Sequence, residues 1–282
     1  MAPIIWRMRD REVVCGERTL VMGVVNVTPD SFSDGGRYLD PEAASGHGLR
    51  MAEEGADLLD VGGESTRPGS DPVLAEEEAA RVVPVIERLS AETELPVSVD
   101  TRKPEVAAAG IEAGAVLVND VSAGRDPGMF AVVRDAGAGM VLMHMHGEPK
   151  TMQVEPLGAD EVVPAVHRSL AGRLEAAAAA GMDPDRIAVD PGLGFGKTPA
   201  ASLRLMREVR SFLDLGRPVV VGPSRKSFIG LALGDLPVDQ RLEGTAGAVA
   251  YLAAHGAHVV RVHDVEEMAR VVRVVDAIRD AS

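Results

Sequence analysis

Eight short apolar runs recur along this chain, each giving way to polar residues, with helix-forming stretches between them. They cover residues 20–25 before Asn26, 57–63 before Glu64, 97–99 before Asp100, 115–118 before Asn119 and Asp120, 139–143 before His144, 186–189 before Asp190, 218–222 before Pro223 and Ser224, and 258–262 before His263. Each reads as a buried strand. The stretches between them read as helices: one opening with Asp40 as N-cap and Pro41 at its first position, then 74–91, one led into by residues 101–104, one from near Pro127, an alanine-rich one over 160–180, then 200–213, 242–254 and a last one to the end of the chain. Alternation of this kind defines an α/β chain and predicts a single (β/α)8 TIM barrel with a short N-terminal extension. A length of 282 residues is ordinary for one such barrel. Residues 1–18 are expected to form the extension, with a possible hairpin, and residues 19–282 the barrel domain.

The strand ends carry the functional signal. In a barrel they all face one mouth, where active sites sit. One polar strand end is an ordinary turn residue, whereas a nearly unbroken series of them points to a site. The run after residue 189 is the densest: Asp190, Pro191, Gly192, Leu193, Gly194, Phe195, Gly196, Lys197. Its glycines allow a tight turn and a close approach of backbone to a ligand. The spacing is not that of a Walker loop. Alone, the stretch also fits a turn closed by an Asp190–Lys197 salt bridge.

Asp100, Asp190 and Asn119 together suit a flat heterocycle with adjacent N–H donors, because an ionised carboxylate accepts two such donors side by side. Arg67, Lys226, Arg261 and His263 supply cations suited to an anionic group such as a diphosphate. On a chain of net charge −14 these cations are a local feature, and that charge argues against nucleic acid or an anionic membrane as partner. Ser227 is placed at a helix start, where backbone N–H groups favour an anion. His144 and His146 alternate along a strand and face opposite sides, so they form no paired metal site. The single cysteine, Cys15, excludes a disulfide framework or a zinc cluster and fits a reducing, cytoplasmic location. No signal-peptide pattern or membrane-length apolar stretch is expected.

The motifs together resemble those of the dihydropteroate synthase family. They are MGVVNVTPDSFSDGG at 22–36, GGESTRPG at 62–69, SVDTRKPEVA at 98–107, VNDVSAG at 118–124, LMHMHGEPKTMQ at 142–153, DPGLGFGK at 190–197, GPSRKSFIG at 222–230 and RVHDV at 261–265. The resemblance implies joining of 6-hydroxymethyl-7,8-dihydropterin diphosphate to para-aminobenzoate with loss of pyrophosphate, in folate biosynthesis. It implies a pterin site of Asp100, Asn119, Asp190 and Lys226, with Met143 packing nearby and Arg261 stacking on the ring. It implies a pyrophosphate site of Asn26, Arg67, Arg261 and His263, with one Mg2+ to which Asn26 gives an oxygen. The para-aminobenzoate pocket would be Phe32, Thr66, Pro68, Phe195, Lys226 and Ser227. Asp100, Asn26, Arg67, Lys226, Arg261 and His263 would carry the chemistry, under two loops, 27–36 and 65–70, that close over the site.

Three rivals remain at this stage: a methyltetrahydrofolate–corrinoid methyltransferase, which has no need of the cations at 224–227 and 261–264, a non-catalytic pterin-binding paralogue, and a generic phosphate-binding barrel. Arg102, Lys103 and Asp264 are assigned to caps or ion pairs, and Arg225 to orienting its loop. The stretch 244–254 has no charged residue on any face. A helix apolar all round is buried on more than one side, which predicts a homodimer through this element.

Overall fold

The computed structural model describes residues 3–28, 40–67 and 69–281. Eight parallel strands follow the order β8-β7-β6-β5-β4-β3-β10-β9: β3 Leu20–Asn26, β4 Leu58–Gly62, β5 Val97–Asp100, β6 Leu117–Asp120, β7 Gly139–Met143, β8 Ile187–Asp190, β9 Val220–Val221 and β10 Val259–Val262. A parallel bridge between Val189 and Val219 brings the two ends of the sheet together, so the strands make a (β/α)8 barrel. Around it run α1 Pro41–Glu54, α2 Ala75–Glu92, α3 Pro104–Glu112, α4 Pro127–Ala136, α5 Val162–Ala179, α6 Pro199–Arg207, α7 Ser227–Ala232, α8 Leu242–Ala254 and α9 Val265–Asp280. Asp40 caps α1 as the sequence predicts, accepting from the Glu42 N–H at 3.0 Å with Pro41 in the first turn.

Two elements differ from expectation. The helix expected over 200–213 ends at Arg207 and continues as a 3-10 turn, Val209–Leu215. The Ser211 hydroxyl donates to the Glu208 carbonyl at 2.7 Å, a side-chain bond that competes with helical continuation. The strand expected over 218–222 is regular only at Val220–Val221; Val219 forms the isolated bridge to Val189, and its N–H donates to His258 Nδ1 at 3.0 Å.

The interior of the barrel is layered by the two-residue period of its strands. Leu20, Met22, Leu58, Leu117, Val141, Ala188, Val220 and Val259 form an apolar floor. Beneath it sits an antiparallel hairpin, β1 Ile4–Met8 with β2 Arg11–Cys15. Its Trp6, Met8 and Cys15 are wholly buried in the same cluster. Trp6 Nε1 donates to the Arg186 carbonyl at 3.1 Å and the Arg9 N–H to the Gly137 carbonyl at 2.7 Å, so the hairpin is stitched to the foot of the barrel. The outward-facing residues of the strands, such as Leu59, Val61, Val99 and Val118, pack against the helices in the larger core. The floor leaves the upper layer of the interior, toward the mouth, to polar side chains.

Candidate active site

Moving two residues along each strand from the floor gives the polar layer: Asp60 above Leu58, Asn119 above Leu117, Asp190 above Ala188 and Arg261 above Val259. Asp100 closes β5, in register with Gly62 on one side and Asn119 on the other. Parallel strands buried on both faces leave such groups no water, so they must satisfy one another. They do so around Arg261, except that Asp60 Oδ1 has no partner among the described residues. Its Nε donates to Asp60 Oδ2 at 2.6 Å and its Nη2 to Asp100 Oδ2 at 2.7 Å. Asn119 Nδ2 donates to the same Asp60 oxygen at 2.9 Å. Among the described residues Nη1 of Arg261 has no acceptor.

Two carboxylates therefore share one cation. Burial pushes Asp100 up to about 8; Arg261 opposes the rise and Asp60 adds to it. Burial works against the Arg261 charge, but Asp60 and Asp100 outweigh it and hold the guanidinium above its ordinary range. Asp190 is also raised by burial, against a bond from the Gly192 N–H at 2.7 Å. The pocket thus offers acceptors on two walls, Asp100 and Asp190, with an amide between them.

The glycine loop forms the wall beside Asp190. Its lysine does not pair with Asp190. Lys197 is buried, and its Nζ contacts His144 Nδ1 at 2.9 Å and the carbonyls of His144 and Phe195 at 3.0 and 2.9 Å. Burial lowers Lys197 well below its ordinary value and takes His144 down to about 3. The glycines serve the protein's own backbone. A Cβ on Gly192 would lie 2.0 Å from the His144 carbonyl oxygen, and one on Gly196 2.1 Å from that of His146, both at positive φ. The loop is glycine-rich because it is pressed against the segment after β7. Phe195 is left facing Lys226, whose Nζ lies 4.3 Å from the ring centroid and donates to the Leu193 carbonyl. Burial lowers Lys226 to about 8, with Asp190 opposing the drop.

At the rim, Asn26 ends β3 beside Gly62 and is half-buried. His263 follows β10; its Nδ1 lies 3.0 Å from Ser224 Oγ. Burial and the charges of Arg225, Arg261 and Arg67 bring His263 down to about 3. It is a neutral imidazole at neutral pH, where the sequence counts it among the cations. The same charges show Arg67 to be close to the rim. Arg225 pairs with Asp264 and its N–H donates to Thr245 Oγ1 at 3.1 Å, so it orients its loop as expected. Ser227 is exposed at the first position of α7, and Thr66 is half-buried. Phe32 and Pro68 lie outside the described residues, as does most of the loop 27–36.

The structure therefore brings Asp100, Asn119, Asp190, Lys226, Phe195 and Arg261 together at the mouth of the barrel, with Asn26 at the end of β3 and Arg67 near His263 at the rim. Met143 is buried among Val121, Met145 and Met152, with Phe195 against that cluster. Glu64, the polar residue after β4, takes no part. It is paired with Lys103 and Arg102. Asp60 is the residue the sequence reading misses. It stands mid-strand between Leu59 and Val61, and the available signal was a charge inside a run that must be buried on both sides.

Comparison with known proteins gives one consistent result. Residues 22–263 match the family described as pterin binding enzyme. The chain is 43% identical over 263 residues to the dihydropteroate synthase of Bacillus subtilis (strain 168), covering 93% of this chain and 89% of that protein. The dihydropteroate synthase of Xanthomonas albilineans, solved with 4-aminobenzoic acid, superimposes with a TM-score of 0.92 at 47% identity over the whole of both chains. The same enzyme solved with 7,8-dihydropteroate gives 0.88 at 46%, covering 99% of this chain and 100% of that one. The Yersinia pestis enzyme solved with a sulfonamide drug gives 0.93 at 39%, covering 99% of this chain and 100% of that one.

Proposed function

This chain belongs to the family of pterin-binding enzymes, and we propose that it is a dihydropteroate synthase, a transferase that joins 6-hydroxymethyl-7,8-dihydropterin diphosphate to para-aminobenzoate and releases pyrophosphate. The observation that carries the reading is the polar layer itself: Asp100, Asn119 and Asp190 side by side above an apolar floor, with Arg67 near the neutral His263 at the rim. Asp100 and Asp190 accept from the N–H groups of the pterin, Asn119 lies between them, and Arg261 and Met143 bound the ring. Lys226 stands where the pterin pocket meets the para-aminobenzoate pocket of Thr66, Phe195 and Ser227, to which the resemblance adds Phe32 and Pro68.

Arg67, His263, Asn26 and Nη1 of Arg261 receive the diphosphate at the rim. Among the described residues no group of three or more His, Cys, Asp or Glu could hold a metal ion. The single amide oxygen of Asn26 fits a Mg2+ that takes most of its oxygens from diphosphate and water. Such an ion, when bound, neutralises the charge that grows on the leaving pyrophosphate. The exocyclic carbon becomes cationic as its bond to oxygen loosens, and the Asp100 carboxylate lies on the pterin side to stabilise it. The arylamine then attacks, with Phe195 and Ser227 orienting it.

The corrinoid methyltransferase reading has no use for the cations at the rim. Sulfonamides resemble para-aminobenzoate, so the pocket of Phe32, Pro68 and Phe195 is their expected site. No described helix is long and apolar enough to cross a membrane, and a cytoplasmic location is part of the proposal. So is a homodimer through α8. Gly247, Tyr251 and Ala254 on α8 are exposed beside the exposed Leu203, Leu231 and Leu233 of the neighbouring elements. A monomeric mass by light scattering at micromolar concentration overturns the dimer.

The deciding experiment is pyrophosphate release from dihydropterin diphosphate and Mg2+, with and without para-aminobenzoate. Release that depends on the arylamine and yields dihydropteroate supports the synthase. Tight pterin binding with no turnover indicates a non-catalytic paralogue. Full turnover by Asp100→Asn removes the role given to Asp100.

A further inference from the structure

We propose that Asp60 is a positioning residue of this site: it sets the orientation of the Arg261 guanidinium and the Asn119 amide, and decides how much of the Arg261 charge is left for Asp100. The inference rests on the pterin-site reading above.

The geometry is that of a hub. One oxygen of Asp60, Oδ2, accepts from Arg261 Nε at 2.6 Å and from Asn119 Nδ2 at 2.9 Å. These are two of the groups that bound the pterin pocket, supplied by β10 and β6, each two strands from β4 on opposite sides. Asp60 is completely buried, deeper than Asp100 and next to the apolar floor. It therefore acts on a ligand through Arg261 and Asn119. An amide has two chemically different ends, and the bond to Asp60 decides which one faces the pocket. With Nδ2 turned down to Asp60, Asn119 presents its carbonyl oxygen upward as an acceptor. That matches a pterin edge carrying N–H donors, in line with Asp100 and Asp190.

The charge follows from the same contacts. Arg261 reaches Asp100 Oδ2 at 2.7 Å with Nη2 while Nε is held by Asp60. A cation divided between two carboxylates stabilises each less than it would one alone. The groups acting on Asp100 are Asp60 from β4, Glu78 from α2, Asp120 from β6 and Arg261 from β10, with Lys226 coupled to it across the pocket. Arg261 and Lys226 are the cations among them, so the division of Arg261 sets the ionisation of Asp100, whose charged form accepts on both oxygens while its protonated form turns one of them into a donor.

The test uses Asp60→Asn, which keeps size and an acceptor and removes the charge. Pterin binding is read by calorimetry with 6-hydroxymethyl-7,8-dihydropterin across pH 5–9, alongside turnover. The expected result is pterin binding weakened about tenfold at pH 9, above the limb in both proteins, a KM for para-aminobenzoate within about twofold of wild type, and the acid limb of the binding profile moved about 1 unit or more to lower pH. In an Asp100→Asn background the same change leaves no limb to move. Asp60→Glu keeps the charge and displaces it by a methylene. It is expected to weaken pterin binding with the limb unmoved, and it carries the test if Asp60→Asn does not fold. Wild-type pterin affinity in both variants, or an unmoved limb in a folded Asp60→Asn, overturns the proposal. A wild-type protein that binds the pterin but makes no dihydropteroate overturns the synthase reading while leaving the binding test of Asp60 intact. A wild-type protein that binds no pterin overturns both.

Discussion

Lys197 Nζ lies 2.9 Å from His144 Nδ1, so the lysine of the glycine loop is anchored to the end of β7 and makes no ion pair with Asp190. Its remaining contacts are the carbonyls of His144 and Phe195. For Nζ to donate to His144 the ring must be neutral with its lone pair on Nδ1, as the lowered His144 value requires. Asp190 is left to accept from the Gly192 N–H and from a ligand.

Replacing Lys197 by Met should therefore cost about 1–3 kcal/mol, because two buried carbonyls lose their donor while the stem is kept. Denaturant unfolding of Lys197→Met against wild type measures it, and an unchanged midpoint refutes the anchoring role.

The glycine loop offers a matched pair. Gly192 and Gly216 share a φ of +66°, but a Cβ on Gly216 meets nothing within 4 Å, whereas one on Gly192 would overlap the His144 carbonyl. Gly216→Ala should cost only the left-handed strain, about 1–2 kcal/mol. Gly192→Ala should cost clearly more and abolish pterin binding by moving Asp190. Equal melting temperatures for the two variants would show that the loop can shift aside.

Acid should unfold the protein early. Burial brings His144 and His263 down to about 3 and His258 to about 4, all from 6.5. Between those limits the unfolded chain binds more protons at these histidines than the native one, so their contribution to stability is complete above pH 6.5 and falls as pH drops toward 4, while Asp100, raised to about 8, contributes in the opposite sense. The histidine contribution is read as the difference in denaturant midpoint between wild type and His258→Gln from pH 7.5 to 4.5. His258→Gln should flatten the slope, since the lone pair on Nδ1 that accepts from the Val219 N–H exists only in the neutral ring.

Trp6→Ala should destabilise by about 3–5 kcal/mol, the usual cost of removing a large buried aromatic. Trp6 is wholly buried under the barrel and its Nε1 holds the Arg186 carbonyl. Thermal unfolding checks this, and a loss below about 1 kcal/mol would mean the hairpin is dispensable.

What could be read in the sequence followed strand chemistry. β-branched runs ending in Asn26, Asp100, Asp190 and His263 are local signals, so the barrel and its polar mouth are visible without coordinates. What could not be read depends on distant partners. Asp60 matters through Arg261, 201 residues away in sequence, and Lys197 through His144, 53 residues away. His263 is a cation by residue type and neutral by burial, which no local pattern records. Phe32 and Pro68 can be assigned from resemblance alone, because they lie outside the described residues.

Among the described residues the hairpin covers the barrel floor from below, so the polar layer is approached from the mouth. A vessel stoppered at its base imposes a queue on its visitors: whatever sits lowest must arrive first and depart last. On the proposed reading, the groups for the pterin, Asp100, Asn119 and Asp190, lie next to the stopper, and Ser227, proposed for the arylamine, is exposed nearer the opening. That reading expects the pterin to be seated before the arylamine closes over it, while pyrophosphate, held at the lip, leaves first. A drug that imitates the arylamine inherits the same place in line, and should bind tightly only to a vessel already half full.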